Sequence, residues 1–232
     1  MADFLLVHGA WHGGWCWDRV AALLRAGGHR VETPTLSGLE ERAAAAPAAI
    51  GLGTHVGNIV ACAHAAGLRE TTLVAHSYGG FPATVAAHRL GARVASLVLL
   101  DAFLPADGER LLDHAPAFVA PYAAAMAADP GWRIPPLPSA AFGVAPQDRA
   151  WVDARLRPHP PGSYFERARL PSPLRVARKR YVRCLQAPGE LLARSLARAH
   201  PDEGWRHVGL DAPHDAMITH PEALARLLDD AP

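Results

Sequence analysis

A chain of 232 residues, half of them apolar, can fill one well-packed core but is short for two independent ones. Its 23 Lys+Arg nearly balance its 22 Asp+Glu, and a net charge near +1 argues against nucleic acid or an acidic membrane surface as a partner. No apolar run approaches the roughly 20 residues that span a bilayer, and the start, Met1-Ala2-Asp3-Phe4, lacks the basic leader of a secretory signal. Cys16, Cys62 and Cys184 are far apart and odd in number, so they are expected as free thiols in a reducing cytoplasm. The wealth of Ala and Arg beside a single lysine, Lys179, fits a GC-rich bacterial genome.

Phe4-Leu5-Leu6-Val7 is a continuous apolar run, the pattern of a strand buried on both faces. It ends in His8-Gly9-Ala10-Trp11-His12-Gly13-Gly14-Trp15, which matches neither G-x-G-x-x-G nor G-K-[ST], so no nucleotide cofactor is expected there. Asp18 to Ala26 has amphipathic helical spacing, with Val20, Leu23 and Leu24 inward and Gly27-Gly28 to end it. A second strand is expected over His29 to Thr33, then an irregular excursion from Glu40 to Gly53 and a helix capped by Thr54 that runs to about Ala66. Next come a strand leading into Ser77, a helix from Phe81 to Leu90 with Pro82 in its first turn, and a strand from Val94 to Leu100.

From about Phe103 to Arg178 the rhythm changes: prolines crowd in, clean strands vanish, and aromatic residues such as Phe118, Tyr122, Trp132, Phe142 and Trp151 are scattered through. A disordered linker would be more charged and less aromatic. Residues 103–178 are therefore expected to form a helical cap inserted over the sheet's C-terminal edge, within a single domain spanning 1–232. The alternation then resumes with a strand from Arg180 to Cys184, a helix from Gly189 to Ala199, a strand from Arg206 to Leu210 and a helix from Pro221 to Asp230. The expected fold class is α/β, a mostly parallel six-stranded sheet wrapped by helices.

The chemistry concentrates at strand ends, where open parallel sheets bind ligands. Thr72-Leu73-Val74-Ala75-His76-Ser77-Tyr78-Gly79-Gly80 is an apolar run that stops at a serine, in the pattern small-x-Ser-x-Gly. Such a strand-to-helix elbow holds the serine in strained geometry and needs small neighbours for close approach. The Tyr78 amide, at a helix start, and the Ala10 amide, in the loop after the first strand, can together receive an oxyanion. A serine hydroxyl needs a base, and the base an orienting acid. His214, in the loop after the last strand, is the candidate base; His220 is read as structural, and His76 as pointing away from the serine beside it. For the acid, Leu185 to Gly189 offers no carboxylate. Asp101, at the tip of the strand Val94 to Leu100, is preferred to Glu190, which falls in the first turn of a helix. The histidines lack metal-ligand spacing, and no metal is expected.

Together these residues resemble the α/β-hydrolase superfamily over essentially the whole chain, and within it small cofactor-free esterases: the pyrethroid-hydrolase-like carboxylesterases and the plant methylesterase/hydroxynitrile-lyase group. The matching stretches are Val7 to Trp15, Thr35-Leu36-Ser37-Gly38-Leu39-Glu40-Glu41-Arg42, His76 to Gly80, and His214-Asp215-Ala216-Met217. The resemblance implies Ser77 as nucleophile, His214 as base, and the Ala10 and Tyr78 amides as oxyanion hole; Trp11 and His12, in the loop after the first strand, are expected at the substrate. Two departures stand out. The aspartate usual in this group would fall near Ala187 and is missing, whereas Asp101 matches the placement in pancreatic lipases and haloalkane dehalogenases. Asp215 stands where hydroxynitrile lyases carry lysine, which argues against cyanohydrin cleavage.

The expected activity is hydrolysis of a carboxylic ester of a small hydrophobic substrate through an acyl-enzyme at Ser77, without cofactor. A non-hydrolytic lyase, cyclase or transacylase on the same scaffold, or a ligand receptor with weak catalysis, is the alternative.

Overall fold

The computed structural model describes residues 1–41 and 49–230. Six strands form one sheet: β1 (Asp3–Val7), β2 (Arg30–Glu32), β3 (Thr71–His76), β4 (Val94–Leu100), β5 (Arg178–Cys184) and β6 (Trp205–Leu210). Their order is β2-β1-β3-β4-β5-β6, and every neighbouring pair is parallel. Each crossover must therefore climb over a face of the sheet, and helices make those climbs. Four of the five crossovers carry α1 (Asp18–Ala26), α2 (Leu52–Ala65), α3 (Gly80–Leu90) and α7 (Ala193–Arg198), and after β6 the short α8 (Ala216–Thr219) leads to the closing α9 (Pro221–Asp229).

Strand alternation divides the core in two. Leu5, Val7, Leu73, Ala75, Leu97, Leu99 and Tyr181 face one layer, where Val56 and Ile59 of α2 and Phe81 of α3 pack. Phe4, Leu6, Val74, Val98, Leu100 and Val182 face the other, against Val20 and Leu24 of α1 and Leu224 and Leu228 of α9. All six residues of β3 are buried, which is why the sequence there carries no polar alternation. The sheet order reverses between β1 and β3, and that crevice is where open α/β sheets place ligands.

Between β4 and β5 the chain makes 3-10 turns at Leu111–Asp113, Pro116–Phe118 and Ser139–Phe142, and the helices α4 (Val119–Ala128), α5 (Pro146–Asp153) and α6 (Gly162–Phe165). One isolated bridge, Ile134 to His159, ties this stretch to itself. It is fastened to the α1 side by Arg19 on Asp148, and by the edge-to-face contact of Trp15 and Trp151 at 5.2 Å.

The sequence reading of β4 and α1 agrees in its bounds, and β5 and β6 begin one or two residues earlier than expected; of the α1 residues expected inward, Val20 and Leu24 are buried and Leu23 is exposed. The helix expected to be capped by Thr54 starts instead at Leu52. Glu166, from the far side of the chain, accepts the Gly53 amide at 3.0 Å, and a carboxylate at a helix start favours two more residues of helix. The stretch expected as one helix from Gly189 splits into a 3-10 turn, Glu190–Leu192, and α7. Part of the excursion expected from Glu40 to Gly53 lies outside the described residues. Cys16, Cys62 and Cys184 are free thiols. Among the described residues no helix is long and apolar enough to cross a membrane.

Candidate active site

β3 delivers His76 and then Ser77, whose φ of +52° is left-handed. A non-glycine residue stays there only when its surroundings hold it, at about 1–3 kcal/mol of strain. The holding contacts are visible. Phe103 N–H donates to the Ser77 carbonyl at 3.0 Å, and a Cβ on Gly9 would come within 2.9 Å of the Ser77 Cβ. At Gly79 and Gly80 a Cβ would drive into the carbonyls of His8 and Phe103. The small residues of the elbow are thus space requirements of three converging strand ends. Ser77 is half-buried. The next residue, Tyr78, opens the first turn and leaves its amide without an acceptor inside the helix. Its ring is buried, and its hydroxyl donates to His55 Nδ1 at 2.6 Å while His55 Nε2–H donates to the Ser37 carbonyl.

The loop after β1 supplies a second arm. Trp11 has a φ of +63° and is gripped on all sides. Its carbonyl accepts from Arg157 N–H at 2.8 Å, its own N–H points to His159 Nδ1 at 3.4 Å, and its indole N–H donates to the Ile134 carbonyl at 3.1 Å. The indole also stacks on Phe142, 5.8 Å between centroids. Ala10 is buried, and its carbonyl accepts from His12 Nδ1 at 2.8 Å.

β4 ends at Asp101, again left-handed at φ +42° and fully buried, with its N–H donating to the Val182 carbonyl at 2.7 Å. Its Oδ2 lies 2.6 Å from Nδ1 of His214, which stands in the loop after β6. Its Oδ1 takes the Arg183 guanidinium and the Cys184 amide. A carboxylate on Nδ1 fixes the tautomer: Nδ1 carries the proton and Nε2 presents its lone pair. Glu190, the other carboxylate weighed for this role, is exposed at the start of its 3-10 turn.

His76 sits behind the His214 imidazole, ring centroids 4.5 Å apart, and donates through Nε2–H to the His214 carbonyl at 3.1 Å. Burial, then repulsion from His214 and His12, holds the His76 pKa well below the ordinary histidine value, so the ring is a neutral wedge. Phe142 closes the other side at 6.0 Å from the His214 ring. Its carbonyl accepts the Asp215 amide at 3.2 Å, so the 139–143 turn and the histidine loop are clamped together. Gly143, at φ +77°, fits there because a Cβ would drive into Pro213.

The strand ends thus bring Asp101 and His214 into direct contact and set Ser77 next in the chain to a ring packed on His214. Among the described residues no hydrogen bond joins Ser77 to His214, and such bonds often tighten only once substrate is bound. Trp11 is half-buried on the loop that faces Phe142. His12, expected at the substrate, is 2% exposed with both nitrogens engaged, and so has no polar atom to offer a ligand. The sequence reading missed three residues: Phe142, Arg183 and Asp215. Asp215, next to the candidate base, carried the best available signal, since a buried carboxylate requires a partner. His76, His214 and Asp215 place donor atoms within 4.8 Å of one another, yet His214 Nδ1 is committed to Asp101 and His76 Nε2 to a carbonyl.

The family model described as "Alpha/beta hydrolase family" matches residues 4–227. The chain is 35% identical over 239 residues to the carbendazim hydrolyzing esterase of Nocardioides sp. (strain SG-4G), covering 98% of each chain. It is 38% identical over 109 residues to the probable esterase PIR7A of Oryza sativa subsp. indica, covering 47% of this chain and 41% of the relative. Among solved structures, an extracellular alpha/beta-hydrolase from a Paenibacillus species superposes with a TM-score of 0.81 at 21% identity, over 100% of this chain and 99% of that one. At that identity the superposition speaks for the fold.

Proposed function

The chain belongs to the alpha/beta hydrolase family, and from that premise we propose that it is a carboxylesterase working through an acyl-enzyme at Ser77. The observation that carries the reading is the 2.6 Å contact of Asp101 Oδ2 with His214 Nδ1 at the mouth of the sheet that presents Ser77. The Ser77 hydroxyl attacks the ester carbonyl as His214 Nε2 takes its proton. Asp101 holds the ring in the productive tautomer and steadies the imidazolium. The Ala10 and Tyr78 amides receive the charge that develops on the carbonyl oxygen. His214 then gives its proton to the departing alcohol. Water, activated by the same ring, attacks the acyl-serine and releases the acid.

Trp11 and Phe142 supply an apolar aromatic wall beside these groups, which suits a hydrophobic ester of modest size. Residues 103–178 are proposed to form the cap that closes over it, the whole chain folding as one domain. Carbendazim, which the Nocardioides relative hydrolyses by its name, belongs on the substrate panel. The three free thiols fit a reducing cytoplasm. A serine-directed phosphonate followed by mass spectrometry tests the reading. Ser77 should be the modified residue, and Ser77→Ala should lose turnover of p-nitrophenyl butyrate while remaining folded. An unmodified Ser77, or a fully active Ser77→Ala, would sink it and favour a non-hydrolytic or receptor role.

A further inference from the structure

The two arms that flank Ser77 come from opposite ends of the chain, and one buried contact joins them. His12 is 2% exposed and Asp215 not at all. His12 Nε2 stands 3.1 Å from Asp215 Oδ2, while His12 Nδ1 stands 2.8 Å from the Ala10 carbonyl. A neutral imidazole carries one N–H and can serve one acceptor; serving a carboxylate and a carbonyl together requires a proton on both nitrogens. The surroundings agree with that. Burial works against a charged His12, but the charge and hydrogen bond of Asp215, with help from the Ala10 carbonyl, outweigh it and set the pKa above the ordinary value. The other titratable rings close by, His8 and His76, are pushed down by burial and stay neutral.

Each end of this pair is tied to a group assigned to the reaction, His12 by a hydrogen bond and Asp215 as the next residue in the chain. The carbonyl that His12 holds belongs to Ala10, the residue whose amide would face the oxyanion. Asp215 follows His214 directly and is itself braced by the Phe142 carbonyl. We propose that the His12–Asp215 ion pair is a positioning strut, fixing the oxyanion arm at a set distance from the general base. Neither residue touches substrate. The inference rests on the esterase reading above and adds to it the part that aligns its two halves. Asp215 Oδ1 has no hydrogen-bond partner and lies 3.8 Å from His76 Nε2, so His12 supplies the one hydrogen bond to the Asp215 carboxylate among the described residues.

The test compares Asp215→Asn, His12→Gln and the double variant with the parent protein, by steady-state hydrolysis of p-nitrophenyl butyrate and by thermal unfolding. Small misplacements of reacting groups are expensive in rate, so each single variant should lose about 10- to 100-fold in kcat per folded molecule, with KM held within about twofold. The double variant should be no worse than the weaker single one, because one strut cannot be removed twice. Losses that multiply, or a kcat per folded molecule equal to the parent's, would overturn the proposal and leave the pair a core contact. Histidine 15N spectra of the unmodified protein give an answer that needs no variant to fold. His12 should carry protons on both nitrogens at neutral pH, and a neutral His12 would overturn the proposal. Phosphonate labelling of Ser77 in the parent keeps the two readings apart: labelling with unaffected variants removes the strut alone, whereas an unlabelled, inactive parent removes the esterase.

Discussion

Asp101 and His214, 113 positions apart in sequence, meet at 2.6 Å between Oδ2 and Nδ1, and the aspartate is fully buried. The carboxylate on the His214 ring therefore stands at the tip of β4, next to the strand that carries Ser77, and we propose it, and not Glu190 after β5, as the orienting acid. Asp101→Asn should lower kcat by about 10³- to 10⁴-fold with little change in KM, because the amide favours the wrong imidazole tautomer. Glu190→Gln, at an exposed turn, should leave kcat unchanged. Steady-state kinetics on the two variants decide between the carboxylates.

Gly143 allows the 139–143 turn to lie flat on Pro213, and its φ of +77° is one that alanine avoids. Gly143→Ala should destabilise the protein by about 1–3 kcal/mol and also displace the loop that holds His214. The expected result is a lower urea midpoint together with a kcat below that of the parent at temperatures where both are folded. Unchanged kcat in folded Gly143→Ala would show that this turn does not set the position of the base.

Stability should peak near neutral pH, for reasons of opposite sign on the two sides. Burial holds His8 at about 3 and His55 at about 4 in the folded protein. Below pH ~6.5 the unfolded chain binds protons that the folded one refuses, and stability falls. Glu109 adds to this: burial would raise its carboxyl, but Arg198, the Ala106 amide and Arg194 outweigh that and hold it at about 2. Its contribution is complete above the usual glutamate range and is lost as pH falls toward 2. His12, raised in the fold, works the other way, contributing fully below pH ~6.5 and losing that contribution as pH climbs through its folded value. Urea unfolding at pH 5, 7 and 9 should give the largest free energy at pH 7; a flat series would contradict the burial argument.

Much of the architecture could be read from apolar runs and their punctuation, because β1, β3 and β4 are buried on both faces and say so in their composition. Boundaries set by remote partners could not. The start of α2 depends on Glu166, more than a hundred positions away, and a local rule naturally chose Thr54. The same division runs through the site. Ser77, Asp101 and His214 stand at strand ends, where chain order and residue type already make a case. Phe142 lies in a stretch without period, and His12 looked like a pocket residue because nothing local shows that Asp215, 203 positions on, takes its second nitrogen. Asp101 was harder than Ser77, since a lone aspartate after a strand has no flanking motif and only its buried partner distinguishes it.

The grip on Trp11 reaches beyond this one molecule. Backbone groups at 157 and 134 and the imidazole of His159 seize a residue near the amino terminus, across as many as 148 positions. Transplanting the 103–178 stretch from a relative in order to change substrate preference would therefore swap the fastener without its counterpart. Engineered hybrids should take residues 8–15 from the same parent as that stretch, for the two behave as one inheritable module despite the distance between them.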